Sequence, residues 1–145
     1  MISKEGVSFI QAVLFTFLSG AVFTDLYKDK IYNFWVIPGL LIGIISAAFG
    51  GFQSFTASIS AVGITFIILL PVYLLKGIAA GDVKLFMATA AFMSLQDTFS
   101  CILLSFLIAG LISLAILIVK RNKKKTIHFA VPVLISALFV IGGAL

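Results

Sequence analysis

Six apolar stretches, each close to the length of a membrane crossing, dominate this chain. They extend over about residues 7–24, 34–52, 55–75, 77–95, 100–119 and 127–145. A helix needs about 20 residues to cross ~30 Å of hydrocarbon at ~1.5 Å per residue. Because backbone polar groups inside a bilayer must bond within their own segment, separate spans of this kind must be helical. The sequence therefore predicts an all-α, polytopic membrane protein with about six transmembrane helices in a single domain, residues 1–145.

The composition argues against a soluble domain. Hydrophobic residues make up 62% of the chain and charged residues 10%, and the mean hydropathy is +1.27. A soluble domain of this size has too little interior to hide so much apolar surface. No small-residue cleavage site follows the first apolar run, so we expect a retained helix rather than a signal peptide. Cys101 is the only cysteine, which excludes an intrachain disulfide.

Basic residues alternate between the connections. Lys28 and Lys30 lie in the first connection, Lys76 in the third, and five basic residues lie within 120–125 in the fifth. The second and fourth connections carry none, and only Lys4 opposes the trend. The positive-inside rule predicts a multi-pass protein of the cytoplasmic membrane with both termini outside. The 120–125 cluster is expected to meet anionic lipid headgroups, and we expect no nucleic-acid partner.

Two aspartates lie at the edges of apolar runs. Asp25 closes the first run, and Asp82 stands five residues after Gly77, near the start of the fourth. An ionisable residue at membrane depth is costly and usually marks a functional site. The predicted topology places both carboxyls near the cytoplasmic face, Asp82 roughly 7 Å into its span. Two carboxyls at one depth suggest a pair that shares a proton, as in aspartic proteases.

Three segments carry a family resemblance. They are Asp-Leu-Tyr-Lys-Asp-Lys-Ile-Tyr-Asn at 25–33, Ala-Ala-Gly-Asp-Val-Lys-Leu at 79–85, and Ile-His-Phe-Ala-Val-Pro-Val-Leu at 127–134. They resemble motifs of the type IV prepilin peptidases, Gly-x-Gly-Asp intramembrane aspartic proteases. In that family an aspartate precedes basic residues and Ile-Pro-Asn, a second precedes Val-Lys-Leu, and a proline enters the last span. Ala79 and Tyr32 depart from the pattern, standing in place of a glycine and a proline.

The resemblance implies the activity. Asp25 and Asp82 would form a catalytic dyad that activates water and removes the basic leader of a prepilin-like protein at the cytoplasmic boundary. The chain lacks the paired Cys-x-x-Cys motifs associated with N-methylation in large members. It is therefore similar to the short form, as in tight-adherence (Flp-type) systems. We expect no cofactor and no metal, because one histidine and one cysteine cannot build a metal cluster.

Four further residues are expected to support the dyad. Gly77 and Gly81 are interpreted either as points of backbone freedom or as close helix contacts. Lys84 is expected to reach the cytoplasmic surface, with a possible electrostatic effect on Asp82 as the alternative. Asn33 is expected to cap the second span or to bond a carboxyl.

Three other polar residues are expected to lie outside the catalytic pair. Asp29 is placed in a solvated connection, Asp97 in an outer connection, and His128 at the membrane interface. Two other functions fit the aspartates without the resemblance: a small transporter with a proton or cation site, and a non-catalytic assembly subunit. The sequence does not distinguish base from acid within the pair, nor a prepilin from a preflagellin.

Overall fold

The computed structural model describes residues 4–120 and 128–143, and its regular structure there is helical. The helices are α1 (Lys4–Lys28), α2 (Asn33–Phe49), α3 (Phe52–Leu74), α4 (Ala80–Ala90), α5 (Leu95–Lys120) and α6 (Ala130–Ile141). The predicted all-α fold is confirmed for this part of the chain.

Three of these helices are long and apolar enough to cross a membrane: α1, α3 and α5. Fewer than a third of the residues in their apolar windows are buried inside the protein, so most side chains face outward, where lipid would lie. The shorter helices α2 and α6 have 17 and 12 residues. The structure thus supports a membrane protein with three clear crossings, whereas the sequence predicts six.

The fourth predicted span, 77–95, contains the largest difference. Only Ala80–Ala90 is helical there, which is 11 residues and about 16 Å of helix. The chain then turns, and Ser94 caps α5: its Oγ donates to Asp97 Oδ2 at 2.7 Å and accepts from the Asp97 N–H at 3.2 Å. Asp97 therefore lies in the first turn of α5 rather than in a connection, and α5 begins about five residues before the predicted boundary.

The short helix α4 occupies the centre of the bundle. It contacts each of the other five helices, and most of its side chains beyond Asp82 are buried, including Leu85, Phe86 and Ala88. Ser58 of α3 donates its hydroxyl to the Ala91 carbonyl at 2.9 Å, which satisfies one carbonyl at the end of α4. This central position brings the first turn of α4 close to the ends of several neighbours.

An aromatic cluster fixes the start of α6. Phe86 of α4, Phe106 of α5 and Phe129, the residue before α6, have ring centroids 5.2–6.1 Å apart. Phe129 meets both other rings edge to face, the geometry that the ring quadrupole favours. Pro132 falls in the first turn of α6, where its missing N–H costs no intrahelical bond. The cluster holds the first turn of α6 beside α4.

Candidate active site

Asp25 lies where the end of α1 meets the start of α6. It is in the last turn of α1 and only 7% exposed. Its Oδ2 accepts the main-chain N–H of Ala130, the first residue of α6, at 3.3 Å. The first N–H groups of a helix have no intrahelical partner and favour an anion. The carboxyl is thus buried against a helix N-terminus.

Asp82 lies in the first turn of α4 and is half-buried. Its Oδ2 accepts the N–H of Ala79, the residue that precedes the helix, at 3.1 Å. A carboxylate at the third helical position that reaches back to this N–H is half of a capping box. Both aspartates therefore accept one main-chain amide at the start of a helix, which limits the orientations open to each carboxyl.

The two predicted carboxyls lie on helices that contact each other, α1 and α4. They are near enough for the charge of Asp25 to act on Asp82. The α1–α2 connection contributes to this approach, because a Cβ built on Gly81 would lie 3.3 Å from the Cβ of Ile31. The end of α1, the following connection and the first turn of α4 therefore form one continuous wall. Two adjacent carboxyls at such a wall can share a proton and act as an acid–base pair.

His128 also reaches this site, although the sequence analysis favoured a position at the membrane interface over a catalytic part. Its Nδ1 lies 3.6 Å from Asp25 Oδ1, and its Nε2 lies 3.5 Å from Asp29 Oδ1. Asp29 itself is largely exposed, in line with a solvated connection, and has a left-handed φ of 53° directly after α1. The one available signal was topological, since the predicted first span ends on the side where the sixth begins.

The comparison with protein families agrees with this geometry. The family model for the type IV leader peptidase family matches residues 12–114, more than half of the chain. The chain belongs to the type IV leader peptidase family. The matched stretch contains both Asp25 and Asp82, whereas His128 and α6 lie beyond it. No curated protein and no solved structure matches the chain.

In this leader peptidase, Lys84 and Asn33 bond to each other. Lys84 is exposed, and its Nζ donates to Asn33 Oδ1 at 2.9 Å, joining α4 to the first residue of α2. Tyr32, not Asn33, occupies the N-cap position of α2, and no side-chain cap is found there among the described residues. The pair therefore ties the α2 start to α4 next to the aspartates.

The glycines before Asp82 are close-packed rather than strained. Neither Gly77 nor Gly81 has a positive φ; in this turn the left-handed residue is Lys76, with φ 59°. A Cβ on Gly77 would lie 3.0 Å from Val72 Cγ1. Ala79, which departs from the family pattern, has an extended backbone with φ −83°. Its methyl group is therefore accommodated without backbone strain.

No metal site accompanies the dyad in the part of the chain that the structure describes. No group of three or more His, Cys, Asp or Glu side chains in residues 4–120 and 128–143 is arranged to hold an ion.

Proposed function

We propose that this protein is an intramembrane aspartic endopeptidase that removes the leader of prepilin-like substrates. The observation that carries the proposal is that Asp25 and Asp82, on the contacting helices α1 and α4, each accept a main-chain amide at the start of a helix. Membership of the leader peptidase family supplies the reaction class. The aspartates alone would also allow a transporter or a non-catalytic subunit. The family match favours hydrolysis over both.

The reaction follows from one proton shared by two carboxyls. Because two adjacent carboxylates in a poorly solvated site repel each other, one remains protonated while the other is ionised. The ionised member removes a proton from water, and the protonated member donates a hydrogen bond to the scissile carbonyl. Water adds to the carbonyl carbon, and a proton then passes to the leaving nitrogen as the C–N bond breaks. Either aspartate can serve as the base.

The surroundings of the dyad favour a substrate that meets it at a membrane boundary. Four lysines lie near the end of α1, the end of α3 and the start of α4: Lys28, Lys30, Lys76 and Lys84. The positive-inside rule assigns such an end to the cytoplasm. A substrate with a basic cytoplasmic leader and an apolar helix in the membrane would present its junction at this depth. Cleavage there, after the leader glycine, releases the mature helix into the bilayer.

The product is expected to carry a free amino terminus. With Cys101 as its one cysteine, the chain has no Cys-x-x-Cys pair of the kind associated with methylation in larger relatives. Mass spectrometry of the mature pilin would detect the added methyl group if this expectation is wrong. The proposed activity is therefore cleavage without methylation, similar to that of tight-adherence (Flp-type) systems.

The direct test is cleavage of a co-expressed prepilin, followed by N-terminal sequencing. Wild type is compared with Asp25→Asn and Asp82→Asn at equal membrane levels. Asp97→Asn is the matched control, because Asp97 lies in the cap of α5 and its amide can still accept the Ser94 hydroxyl. We expect cleavage after the leader glycine by wild type and by the control, and none by either dyad variant. Processing by both dyad variants would contradict the proposal and direct attention to proton flux.

A further inference from the structure

The ring of His128 lies between two carboxyls at the start of α6. Nδ1 faces Asp25 Oδ1 at 3.6 Å, and Nε2 faces Asp29 Oδ1 at 3.5 Å. The two carboxyls differ in surroundings, since the Asp25 side chain is 10% exposed and that of Asp29 is 69% exposed. One ring nitrogen therefore faces the buried carboxyl of Asp25, and the other faces the exposed carboxyl of Asp29.

The nitrogen that faces Asp25 is buried and without a hydrogen bond to any residue the structure describes. A separation of 3.6 Å is within ion-pair range but too long for a hydrogen bond. A buried polar nitrogen without a partner is destabilising. A shift of a few tenths of an ångström would convert this contact into a bond. The ring is thus within reach of Asp25 without being bonded to it.

The backbone on both sides of this contact is held in place. Phe129, next to His128, is buried against Phe86 and Phe106. The following residue, Ala130, donates its N–H to the other oxygen of Asp25. Two groups at the start of α6 therefore lie against the two oxygens of the Asp25 carboxyl. The Ala130 amide donates to Oδ2, and the His128 imidazole faces Oδ1.

We infer that His128 is a positioning residue for Asp25. With Oδ2 on the Ala130 amide and Oδ1 on the His128 Nδ1–H, the plane of the carboxyl is fixed. Each carboxylate oxygen accepts more than one hydrogen bond, so both keep a free lone pair for water or for the shared proton. Asp29 lies at the opposite edge of the ring, 3.5 Å from Nε2. The inference rests on the proposed function and adds a third residue to its machinery.

Two amide substitutions separate the two edges of the ring. In His128→Asn the side-chain amide is attached to Cγ, as Nδ1 is, so a donor toward Asp25 remains. In His128→Gln the amide lies one atom farther out, near the position of Nε2, and faces Asp29. His128→Ala removes both contacts. A residue that acts through Asp25 should be rescued by Asn and not by Gln.

The experiment measures kcat and KM for cleavage of a purified prepilin by wild type, Asp25→Asn and the three His128 variants in detergent. We expect His128→Ala and His128→Gln to lower kcat about 10- to 100-fold, because small misplacements of a catalytic group have effects of that size. KM should change less than about 3-fold, since bound substrate is held elsewhere. His128→Asn should retain most of the wild-type kcat. Thermal unfolding of each variant reports whether the fold is intact.

Three results would overturn the inference. The first is a wild-type kcat in His128→Ala. The second is a raised KM with unchanged kcat, which would assign His128 to substrate binding. The third is an equal loss of kcat and of thermal stability in all three variants, which would make it structural. These outcomes test His128 only if wild type is active and Asp25→Asn is inert. An inactive wild type or an active Asp25→Asn would contradict the proposed function itself.

Discussion

The carboxyl of Asp25 accepts the main-chain N–H of Ala130 across 105 positions of sequence, at 3.3 Å. This bond makes the start of α6 part of the candidate active site, although α6 lies beyond the 12–114 stretch that defines the family match. A main-chain donor cannot be removed by substituting its own side chain. Its placement depends on the neighbours that hold the α6 start against α4 and α5.

Phe129 is the residue on which that placement depends most directly. Replacing it with leucine removes two edge-to-face ring contacts, worth about 1–3 kcal/mol together. We expect Phe129→Leu to lower the unfolding temperature and to reduce kcat, because the Ala130 amide and His128 both shift away from Asp25. Parallel unfolding and cleavage assays measure the two effects. Phe139→Leu is the control, since Phe139 lies on α6 and is half exposed; an equal effect there would refute the argument.

For Lys84 we expect only a small effect on cleavage, although it stands two residues after Asp82. Its Nζ bonds to Asn33 on an exposed surface, where polar pairs contribute about 0–1 kcal/mol. We therefore expect Lys84→Gln, which keeps a donor, to alter the cleavage rate less than about 3-fold. The same assay with Asp82→Asn gives the scale of a catalytic loss. A loss of comparable size in Lys84→Gln would restore the alternative in which its charge acts on Asp82.

Hydropathy and charge predicted the helices better than their ends. All six apolar stretches contain a helix among the described residues, because long runs without polar groups leave the backbone no other way to bond in lipid. The end of α4 was not predictable in this way. Residues 90–93 are apolar through the turn, so hydropathy shows no break there. The signal that marks the boundary is the cap sequence Ser94-Leu95-Gln96-Asp97, which the hydropathy argument passed over.

The candidate site was likewise predictable from the sequence only in part. Asp25 and Asp82 were identifiable because charge inside an apolar run is conspicuous, and their shared end follows from helices that alternate in direction. The contact of His128 with Asp25 is tertiary, since it depends on aromatic packing between residues from three parts of the chain. Asn33 was misassigned as a cap for a similar reason. Its partner, Lys84, is 51 positions away.

The side chain of Ser58 joins α3 to the end of the central helix, α4. It is buried, and its hydroxyl donates to the Ala91 carbonyl at 2.9 Å. We expect Ser58→Ala to lower stability by about 0.5–1.5 kcal/mol, because the buried carbonyl loses its partner. Ser60→Ala is the matched control: the Ser60 hydroxyl is exposed and bonds within its own helix, to the Thr56 carbonyl. Unfolding temperatures in detergent should separate the two; equal values would mean that the α3–α4 bond contributes nothing.

Gly20 controls how closely α1 and α2 approach behind the dyad. A Cβ there would clash with Trp35 Cζ2, and the indole cannot move freely, since its Nε1–H donates to the Phe17 carbonyl at 2.9 Å. We expect Gly20→Ala to cost about 1–3 kcal/mol through overpacking, and to lower the unfolding temperature accordingly. Gly63→Ala is the control, because no described atom lies within 4 Å of its Cβ and alanine favours a helix by about 1 kcal/mol over glycine. The two variants should therefore shift the unfolding temperature in opposite directions. A neutral Gly20→Ala would mean that the two helices separate at little cost, and that the Trp35 contact does not set the spacing of α1 and α2.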